Sequence, residues 1–202
     1  SSEAGVVGCP DSDNDGWADH IDALPTENTQ WSDVDLDGYG DNPLGNMADD
    51  CPAIEGTSTV DRLGCQDSDE DGRSNPDNDW SVVEGADSFR HIPNQWSDSD
   101  GDGFGDNWAD PMLNSSRADD GIGEWFEDAF QPDGCPIIAG TSTMDVYGCS
   151  DTDGDGWSDE GDSFPEDGSQ WSDIDGDGYG DNTAAEDADD CPTISGSSYW
   201  GA

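Results

Sequence analysis

One short acidic string occurs six times in this chain, and it constrains the fold more than any other feature. The string reads Asp-x-Asp-x-Asp-Gly and begins at Asp11, Asp33, Asp67, Asp98, Asp151 and Asp173. A glycine follows the third aspartate every time, which indicates a sharp bend that a Cβ atom would resist. Alternate side chains in a tight loop converge on one point. The pattern therefore predicts loops organised around cations.

The composition also indicates that the chain needs positive charge from bound cations. The chain has 51 acidic residues against four arginines and no lysine, a net charge of -47, and only 30% hydrophobic residues. Such a balance is typical of a disordered polyanion, yet nine tryptophans, six cysteines and 27 glycines are too many for a solvated tail. Nucleic acids and anionic membrane surfaces are excluded as partners because they would repel this chain. No apolar run approaches the ~20 residues of a membrane span.

Longer repeats divide the chain into three copies of one unit, predicted at 1–63, 64–147 and 148–202. Each copy starts with Gly-Cys-x-Asp, continues to Gln-Trp-Ser-Asp and closes with Cys-Pro. Its two acidic strings are called here the first and second loops. Their starts are 22 residues apart in copies one and three but 31 apart in copy two. This difference predicts an insertion near 76–84.

A second insertion, near 108–133, follows the second loop of copy two. Within it, Gly123–Phe130 is the only stretch that could form a short amphipathic helix. Elsewhere glycine, proline and aspartate recur too often for helices or long strands. The predicted fold class is a mostly irregular, loop-rich repeat array with little regular secondary structure.

The first loops carry a full set of oxygen ligands for calcium. Such a loop uses side chains at positions 1, 3, 5, 9 and 12 and the backbone carbonyl at position 7. The predicted ligands are Asp11, Asp13, Asp15, Trp17, Asp19 and Asp22 in copy one, Asp67, Asp69, Asp71, Arg73 and Asn75 in copy two, and Asp151, Asp153, Asp155, Trp157, Asp159 and Asp162 in copy three. If the insertion interrupts the first loop of copy two, Asp87 is predicted to take in that loop the role that Asp22 has in copy one. Each of the two aspartates lies eight residues before a Gln-Trp pair.

The second loops have fewer ligands of their own. The predicted set is Asp33, Asp35, Asp37, Tyr39 and Asp41 in copy one, Asp98, Asp100, Asp102, Phe104 and Asp106 in copy two, and Asp173, Asp175, Asp177, Tyr179 and Asp181 in copy three. Position 12 lacks a carboxylate; in copy one it is Leu44. The missing group is predicted to come from the pair Asp49-Asp50 or Asp189-Asp190, or from the preceding loop.

Calcium is the predicted cofactor, at about one ion per loop or more. Magnesium prefers few protein ligands and retained water, and zinc requires histidine or thiolate. The two histidines, His20 and His91, are predicted to be surface or packing residues. A merely solvated acidic surface is the alternative, but it explains neither the fixed alternation of aspartates nor the glycine at position 6.

These loops, together with the Gly-Asp-Asn endings and Asp-Cys-Pro steps, resemble thrombospondin type-3 repeats, which also occur in secreted and surface proteins of bacteria and archaea. The resemblance implies a chain wound around a row of calcium ions and stapled by disulfides. The Gly-Thr-Ser-Thr connectors and the enlarged second copy depart from that family. Dockerin modules share the loop chemistry, but Pro25 and Pro165 stand where a dockerin helix would follow.

The cysteines indicate an oxidising setting, so the protein is predicted to be secreted or displayed at the cell surface. Two pairings respect the repeats, one joining the ends of each copy and the other stapling the junctions between copies. The constant 14-residue spacing favours the junctions, Cys51 with Cys65 and Cys135 with Cys149. Cys9 and Cys191 then remain, and a disulfide between subunits is predicted for them.

The aromatic residues divide into a repeated set and an isolated one. Trp17 and Trp157 in the first loops, and tryptophans two residues before the second loops, are predicted to pack between loops as a substitute core. Sugar stacking is the alternative for this repeated set. Trp108, Trp125 and Phe126, in or beside the large insertion, are predicted to contact a partner. Asn114 in Asn-Ser-Ser is a glycosylation candidate.

No motif of a known catalytic mechanism is present, so the protein is predicted not to be an enzyme. The predicted function is that of an extracellular structural protein, folded and stiffened by calcium, that joins copies of itself head-to-tail into a fibre. The alternative is a calcium-dependent, adhesin-like binding module or stalk segment that recognises glycan or protein through the insertion.

Overall fold

A computed structural model describes residues 8–113, 117 and 121–197. The chain forms two compact units, Ser1–Ser97 and Asp98–Ala202. The boundary lies within copy two, immediately before its second loop. Each unit is described by itself below.

Regular secondary structure is sparse in the described residues, which confirms the prediction of a loop-rich chain. Single 3-10 turns are formed by Val82–Glu84 and Pro111–Leu113. Isolated parallel bridges join Gly40 to Ala48, Gly105 to Pro132, Trp108 to Trp125, Asp133 to Tyr147 and Gly180 to Ala188. Within the same residues, no helix has the length and apolar character needed to cross a membrane.

The prediction of a short helix at Gly123–Phe130 is wrong. This segment instead pairs with Trp108, whose amide donates to the carbonyl of Glu124 (3.1 Å) and whose carbonyl accepts from the amide of Phe126 (2.9 Å). Gly123 has a φ of 68°, and a Cβ atom on it would lie 2.1 Å from the carbonyl oxygen of Asp106. The close pairing therefore replaces the helical hydrogen bonds.

A buried glutamine forms the polar core of the second loop in copy one. Gln30 is 0% exposed. Its Nε2 donates to the carbonyls of Asn42 (3.1 Å) and Asn46 (3.2 Å), and its Oε1 accepts from the amide of Asn42 (2.9 Å). A Cβ atom on Gly40 would lie 2.2 Å from that Oε1, so the glycine makes room for the amide group.

The same arrangement recurs in the second unit. Gln170 accepts from the amide of Asn182 at 2.9 Å and donates to its carbonyl at 3.4 Å. Gly180 leaves the space that Gly40 leaves in copy one. The repeated Gln-Trp pair thus contributes a hydrogen-bonding anchor as well as an aromatic ring, and the sequence analysis had noticed only the ring.

Disulfides join Cys51 to Cys65 and Cys135 to Cys149, each across 14 residues. This is the junction pairing of the two alternatives. At the first junction, the Ser58 hydroxyl accepts from the Cys65 amide (2.9 Å), while the Cys65 carbonyl accepts from the amides of Thr57 (3.0 Å) and Ser58 (3.1 Å). Each disulfide therefore fastens a connector that is already bound through its backbone.

Aromatic side chains pack between the two loops of a copy. Trp17 and Trp31 stack with ring centroids 6.3 Å apart and planes inclined by 5°. Trp157 and Trp171 repeat the pair at 6.5 Å and 6°. In copy two an arginine takes the place of the first tryptophan, and the Arg73 guanidinium lies 4.5 Å from the ring centroid of Trp96. A cation-π contact thus replaces the stack.

We predict that Gln30→Leu destabilises the protein by about 3 kcal/mol, because three backbone groups of Asn42 and Asn46 lose their bonds to a fully buried amide. Urea unfolding of the calcium-saturated protein measures the change. Asn28→Ala, at an exposed position two residues earlier, is the control and is expected to leave the midpoint unchanged. Equal midpoints for both variants would contradict the anchoring role.

Candidate metal centres

The first aspartate of each loop folds the loop around its own carboxylate. The two oxygens of Asp11 accept from the amides of Asn14 (2.8 Å) and Gly16 (3.2 Å). In all six loops the amides at positions 4 and 6 donate to the first aspartate in this way, at 2.7–3.2 Å. Position 1 therefore sets the turn.

Two positions of each loop adopt a left-handed backbone. The glycine at position 6 has a φ between 91° and 102° in the six loops. Position 4 also has a positive φ, between 64° and 84°, although Asn14, Leu36 and Glu70 occupy it in three of them. Such a conformation costs an ordinary L-residue about 1 kcal/mol. The sequence analysis identified the bend at position 6 but missed the one at position 4.

The aspartates at positions 1, 3 and 5 converge. One carboxylate oxygen from each lies within 4.8 Å of the other two in the triplets Asp11-Asp13-Asp15, Asp33-Asp35-Asp37, Asp67-Asp69-Asp71, Asp98-Asp100-Asp102 and Asp151-Asp153-Asp155, among others. In the remaining loop, burial and then the charges of Asp177 and Asp189 raise the pKa of Asp175. These triplets are groups that could hold metal ions.

A further buried aspartate joins each first loop. Asp22 and Asp162 are each 8% exposed, and their pKa values are raised by burial and then by the acidic residues of their own loops. In copy two Asp87 has this place: it is 1% exposed, and burial with the charges of Asp71 and Asp69 raises its pKa to about 7. The structure thus brings Asp87 to the loop across the inserted residues.

The second loops receive their extra carboxylate from the residue two positions before a cysteine. Asp49 is 6% exposed, and its pKa is raised to about 6 by burial and then by Asp37 and Asp35. One of its oxygens accepts from the Cys51 amide at 2.7 Å. Asp50, the other member of the predicted pair, is exposed and accepts from the Leu63 amide (2.9 Å).

Asp133 completes the second loop of copy two, and the sequence analysis missed it. It is 2% exposed, and its pKa is raised to about 7 by burial and then by Asp102 and Asp100, against a smaller opposing effect of Arg117. The signal was an aspartate two residues before each closing cysteine, shared by Asp49, Asp133 and Asp189. The 28-residue gap between Asn107 and Cys135 hid it.

The aspartate at position 9 accepts hydrogen bonds from the residue at position 2 of its loop, a contact that the sequence spacing did not predict. The two oxygens of Asp19 accept from the amide (2.7 Å) and hydroxyl (2.9 Å) of Ser12. The carboxylates of Asp41, Asp106, Asp159 and Asp181 likewise accept from nearby serine or threonine hydroxyls. Asn75 donates its Nδ2 to the Ser68 hydroxyl at 2.7 Å, which leaves its Oδ1 for another contact.

Position 7 is held in the loop by its own backbone. The amides of Trp17, Tyr39, Arg73, Phe104, Trp157 and Tyr179 each donate to the aspartate two residues earlier, at 2.7–3.1 Å. Metal binding by their carbonyls remains a prediction. His20 and His91 are exposed, and Asn114 lies outside the described residues.

The buried oxygens that lack a hydrogen-bond donor are concentrated in these clusters. In the described ranges, every such side-chain oxygen belongs to one of the six loops or to its added aspartate: Asp13, Asp15, Asp35, Asp49, Asp69, Asp71, Asn75, Asp87, Asp100, Asp133, Asp153, Asp155, Asp175, Asp181 and Asp189. Burying a charged oxygen without a partner is costly, and a bound cation removes that cost.

The raised pKa values predict how the metal-free protein responds to pH. The folded pKa of such a carboxyl exceeds its ordinary value of 3.8, so the folded state holds the proton more tightly than the unfolded state does. The carboxyl therefore stabilises the fold fully at pH values below 3.8, and this contribution is lost as the pH rises through the folded pKa. The metal-free fold should therefore weaken between about pH 4 and pH 7. Urea unfolding of chelated, desalted protein across this range measures the effect.

Self-repulsion of the whole chain has the same sign, so matched variants are needed to separate the two effects. Asp133→Asn should flatten the pH dependence, because it removes a carboxyl with a folded pKa of about 7. Asp79→Asn, at an exposed position outside the loops, removes the same charge and should not. Identical pH profiles for the two variants would contradict this prediction.

Comparison with known proteins does not assign a family to these loops. No protein-family model matches the chain, and no curated protein matches it significantly. Which cation these clusters could hold must therefore be argued from the oxygen clusters themselves.

Proposed function

We propose that the six loops bind calcium and that this binding organises the fold of an extracellular structural protein. One observation carries the proposal: the buried oxygens without donors gather in the six acidic clusters. Calcium accepts six to eight oxygen ligands in flexible geometry, which suits clusters of four or more carboxylates. The similarity to thrombospondin type-3 repeats agrees with this proposal.

Calcium binding would act as folding energy. The metal-free loops hold several like charges within a few ångströms, so the folded state is penalised by repulsion and by desolvation. A ligand that binds the folded state alone stabilises it according to its concentration and affinity. The scarcity of buried apolar side chains makes this contribution decisive, since the described residues with buried hydrophobic side chains are Ala18, Cys65, Ala86, Trp108 and Cys149.

The disulfides favour an extracellular location, because such bonds persist in oxidising compartments. In that setting calcium is available to keep the loops closed. We infer that the protein serves as a stiff element, a subunit that joins copies of itself head-to-tail in a fibre. The two cysteines outside the disulfides, Cys9 and Cys191, are both exposed and available for such a contact.

An adhesin-like binding module is the second candidate, and exposed aromatic side chains of the large insertion favour it. Trp125 is 45% exposed, Phe126 38% and Phe130 51%, whereas Trp108 is buried at 5%. The first three could contact glycan or protein. Negative-stain microscopy of the calcium-bound protein separates the candidates, since uniform fibres support the structural role and discrete particles support the binding module.

We predict that chelation expands the protein. Removing calcium with EGTA at neutral pH should increase the hydrodynamic radius and alter the far-ultraviolet dichroism, because the carboxylates then repel one another. Re-addition of calcium should reverse both changes, and magnesium at the same concentration should reverse them incompletely. An unchanged radius after complete chelation would disprove the proposal.

We further predict that Asp87→Asn weakens calcium binding at the first loop of copy two. The change removes the charge of a residue that is 1% exposed and surrounded by the loop aspartates. Native mass spectrometry and calorimetric titration should show fewer calcium ions bound at limiting calcium. Asp79→Asn, a loss of equal charge at an exposed position, is the matched control, and equal stoichiometry in the two variants would exclude Asp87 as a ligand.

A further inference from the structure

The few positive charges of the chain are concentrated around copy two. The four arginines are Arg62, Arg73, Arg90 and Arg117, and no lysine is present. Arg73 occupies position 7 of the first loop of copy two, where copies one and three have tryptophan. The three first loops therefore allow a comparison, within one chain, of sites that differ in charge.

The backbone of the first loop is the same in the three copies. The oxygens of Asp67 accept from the amides at positions 4 and 6, both at 2.8 Å, and those of Asp11 and Asp151 do so at 2.8–3.2 Å. The glycine at position 6 has a φ of 93° in copy two, against 102° and 98° in copies one and three. The turn itself does not distinguish the three sites.

The added aspartate also reaches the three loops in the same way. The Asp87 amide donates to the Ser74 carbonyl at 3.0 Å. Ser74 is position 8 of its loop, and the position 8 carbonyls of the other copies accept from the amides of Asp22 (3.1 Å) and Asp162 (2.9 Å). Copy two therefore retains the aspartates of positions 1, 3 and 5 and the added aspartate.

Position 9 carries the first difference between the loops. Copies one and three have Asp19 and Asp159 here, whereas copy two has Asn75. The Asn75 Nδ2 donates to the Ser68 hydroxyl at 2.7 Å, and its Oδ1 is buried without a hydrogen-bond donor. A neutral oxygen thus replaces a charged one, so this loop has four candidate carboxylates where the other two have five.

Position 7 carries the second difference. The Arg73 guanidinium lies 4.5 Å from the ring centroid of Trp96, in the place where copies one and three stack two tryptophans. This contact keeps the positive charge beside the loop. Burial raises the pKa of Asp71 to about 6, and the charge of Arg73 opposes this rise. A fixed cation of the protein therefore acts on a carboxylate of the site.

Position 4 adds a charge of the opposite sign, but at the surface. Glu70 stands there in copy two, whereas copies one and three have Asn14 and Gly154. Glu70 is exposed, and water and salt screen an exposed charge effectively. The changes at positions 7 and 9 therefore dominate, and both reduce the attraction of the loop for a cation.

We propose that Arg73 and Asn75 make the first loop of copy two a weaker calcium site than the first loops of copies one and three. The number of charged ligands tunes the affinity of calcium loops over several orders of magnitude. With one carboxylate fewer and an arginine beside it, this loop fills only at a higher calcium concentration. The proposal rests on the calcium binding proposed above and ranks the sites that take part in it.

The insertion near 76–84 is the segment that responds when this site loses its ion. The insertion separates Asn75 from Asp87 by 12 residues, whereas Asp19 and Asp22 are three residues apart. Without the ion, Asp87 is left among like charges, which favours its release from the loop. At intermediate calcium the insertion therefore loosens while the first loops of copies one and three stay closed.

Hydrogen exchange read by mass spectrometry measures the three sites separately. The full chain is equilibrated in calcium buffers, and peptides covering 11–22, 67–87 and 151–162 are followed as free calcium falls. The peptide covering 67–87 should lose its protection at roughly tenfold higher free calcium than the other two peptides.

Two variants restore the side chains of the other copies, and each has a matched control. Asn75→Asp adds the fifth carboxylate, and Arg73→Trp removes the positive charge while supplying a tryptophan to stack on Trp96. Each should move the midpoint of the 67–87 peptide to lower calcium. Asn78→Asp adds the same negative charge at an exposed position of the insertion, and Arg73→Lys keeps the positive charge, so both should leave the midpoint in place.

The outcomes separate this proposal from the proposed function. Full protection of peptides 11–22 and 151–162 at saturating calcium shows that a variant has folded. Equal midpoints for the three wild-type peptides, or a lower one for 67–87, would overturn the ranking of the sites while calcium binding itself stands. A midpoint that neither Asn75→Asp nor Arg73→Trp moves would overturn the roles of these two residues. Protection that is independent of calcium in all three peptides would refute the proposed function instead.

Discussion

Repulsion between buried carboxylates is the constraint on which the rest of this structure depends. Most proteins place apolar side chains where their elements meet, but here Asp49, Asp87 and Asp133 are almost completely buried beside other aspartates. Their raised pKa values record the cost of that placement. In the described residues only five hydrophobic side chains are buried, so packing offers little to offset this cost. The proposed binding of cations would offset it.

The backbone is prepared for this task by hydrogen bonds that require no metal. The first aspartate of each loop accepts from two amides, and two left-handed positions let the later aspartates turn toward the same point. Gln30 then fixes the second loop from inside, and disulfides fasten the connectors. These contacts shape the loops, whereas the buried oxygens that lack a hydrogen-bond donor are the ones proposed to bind a cation. Because hydrogen bonds of neighbouring residues set the loop geometry, Leu36 adopts a left-handed backbone that is unfavourable for leucine.

The convergence of aspartates within a loop could be predicted from spacing, because the candidate ligands of one loop are close in sequence. Counting back from Gln-Trp located Asp87 across an insertion, since an inserted segment that bulges outward leaves the flanking positions unchanged. Asp133 was not found, because it lies at the far end of the insertion near 108–133. The residue spacing of the other copies gave no position for an aspartate there. The helix expected at Gly123–Phe130 failed for another reason. Amphipathic spacing reports what a segment can bury, whereas here pairing with Trp108 decided its conformation. The role of Gln30 was missed because its recurrence before the tryptophan of each copy does not reveal that its amide is buried and bonded to the backbone.

The short range of the contacts has a consequence for how such a chain acquires its structure. Almost all side-chain hydrogen bonds of the described residues join positions fewer than 20 apart, and each disulfide closes 14 residues. Proteins with low contact order fold quickly because little entropy is lost before contacts form. Each copy can thus assemble from nearby residues, in the order of the chain and without waiting for the carboxyl-terminal half. Folding can then proceed in one direction along the sequence.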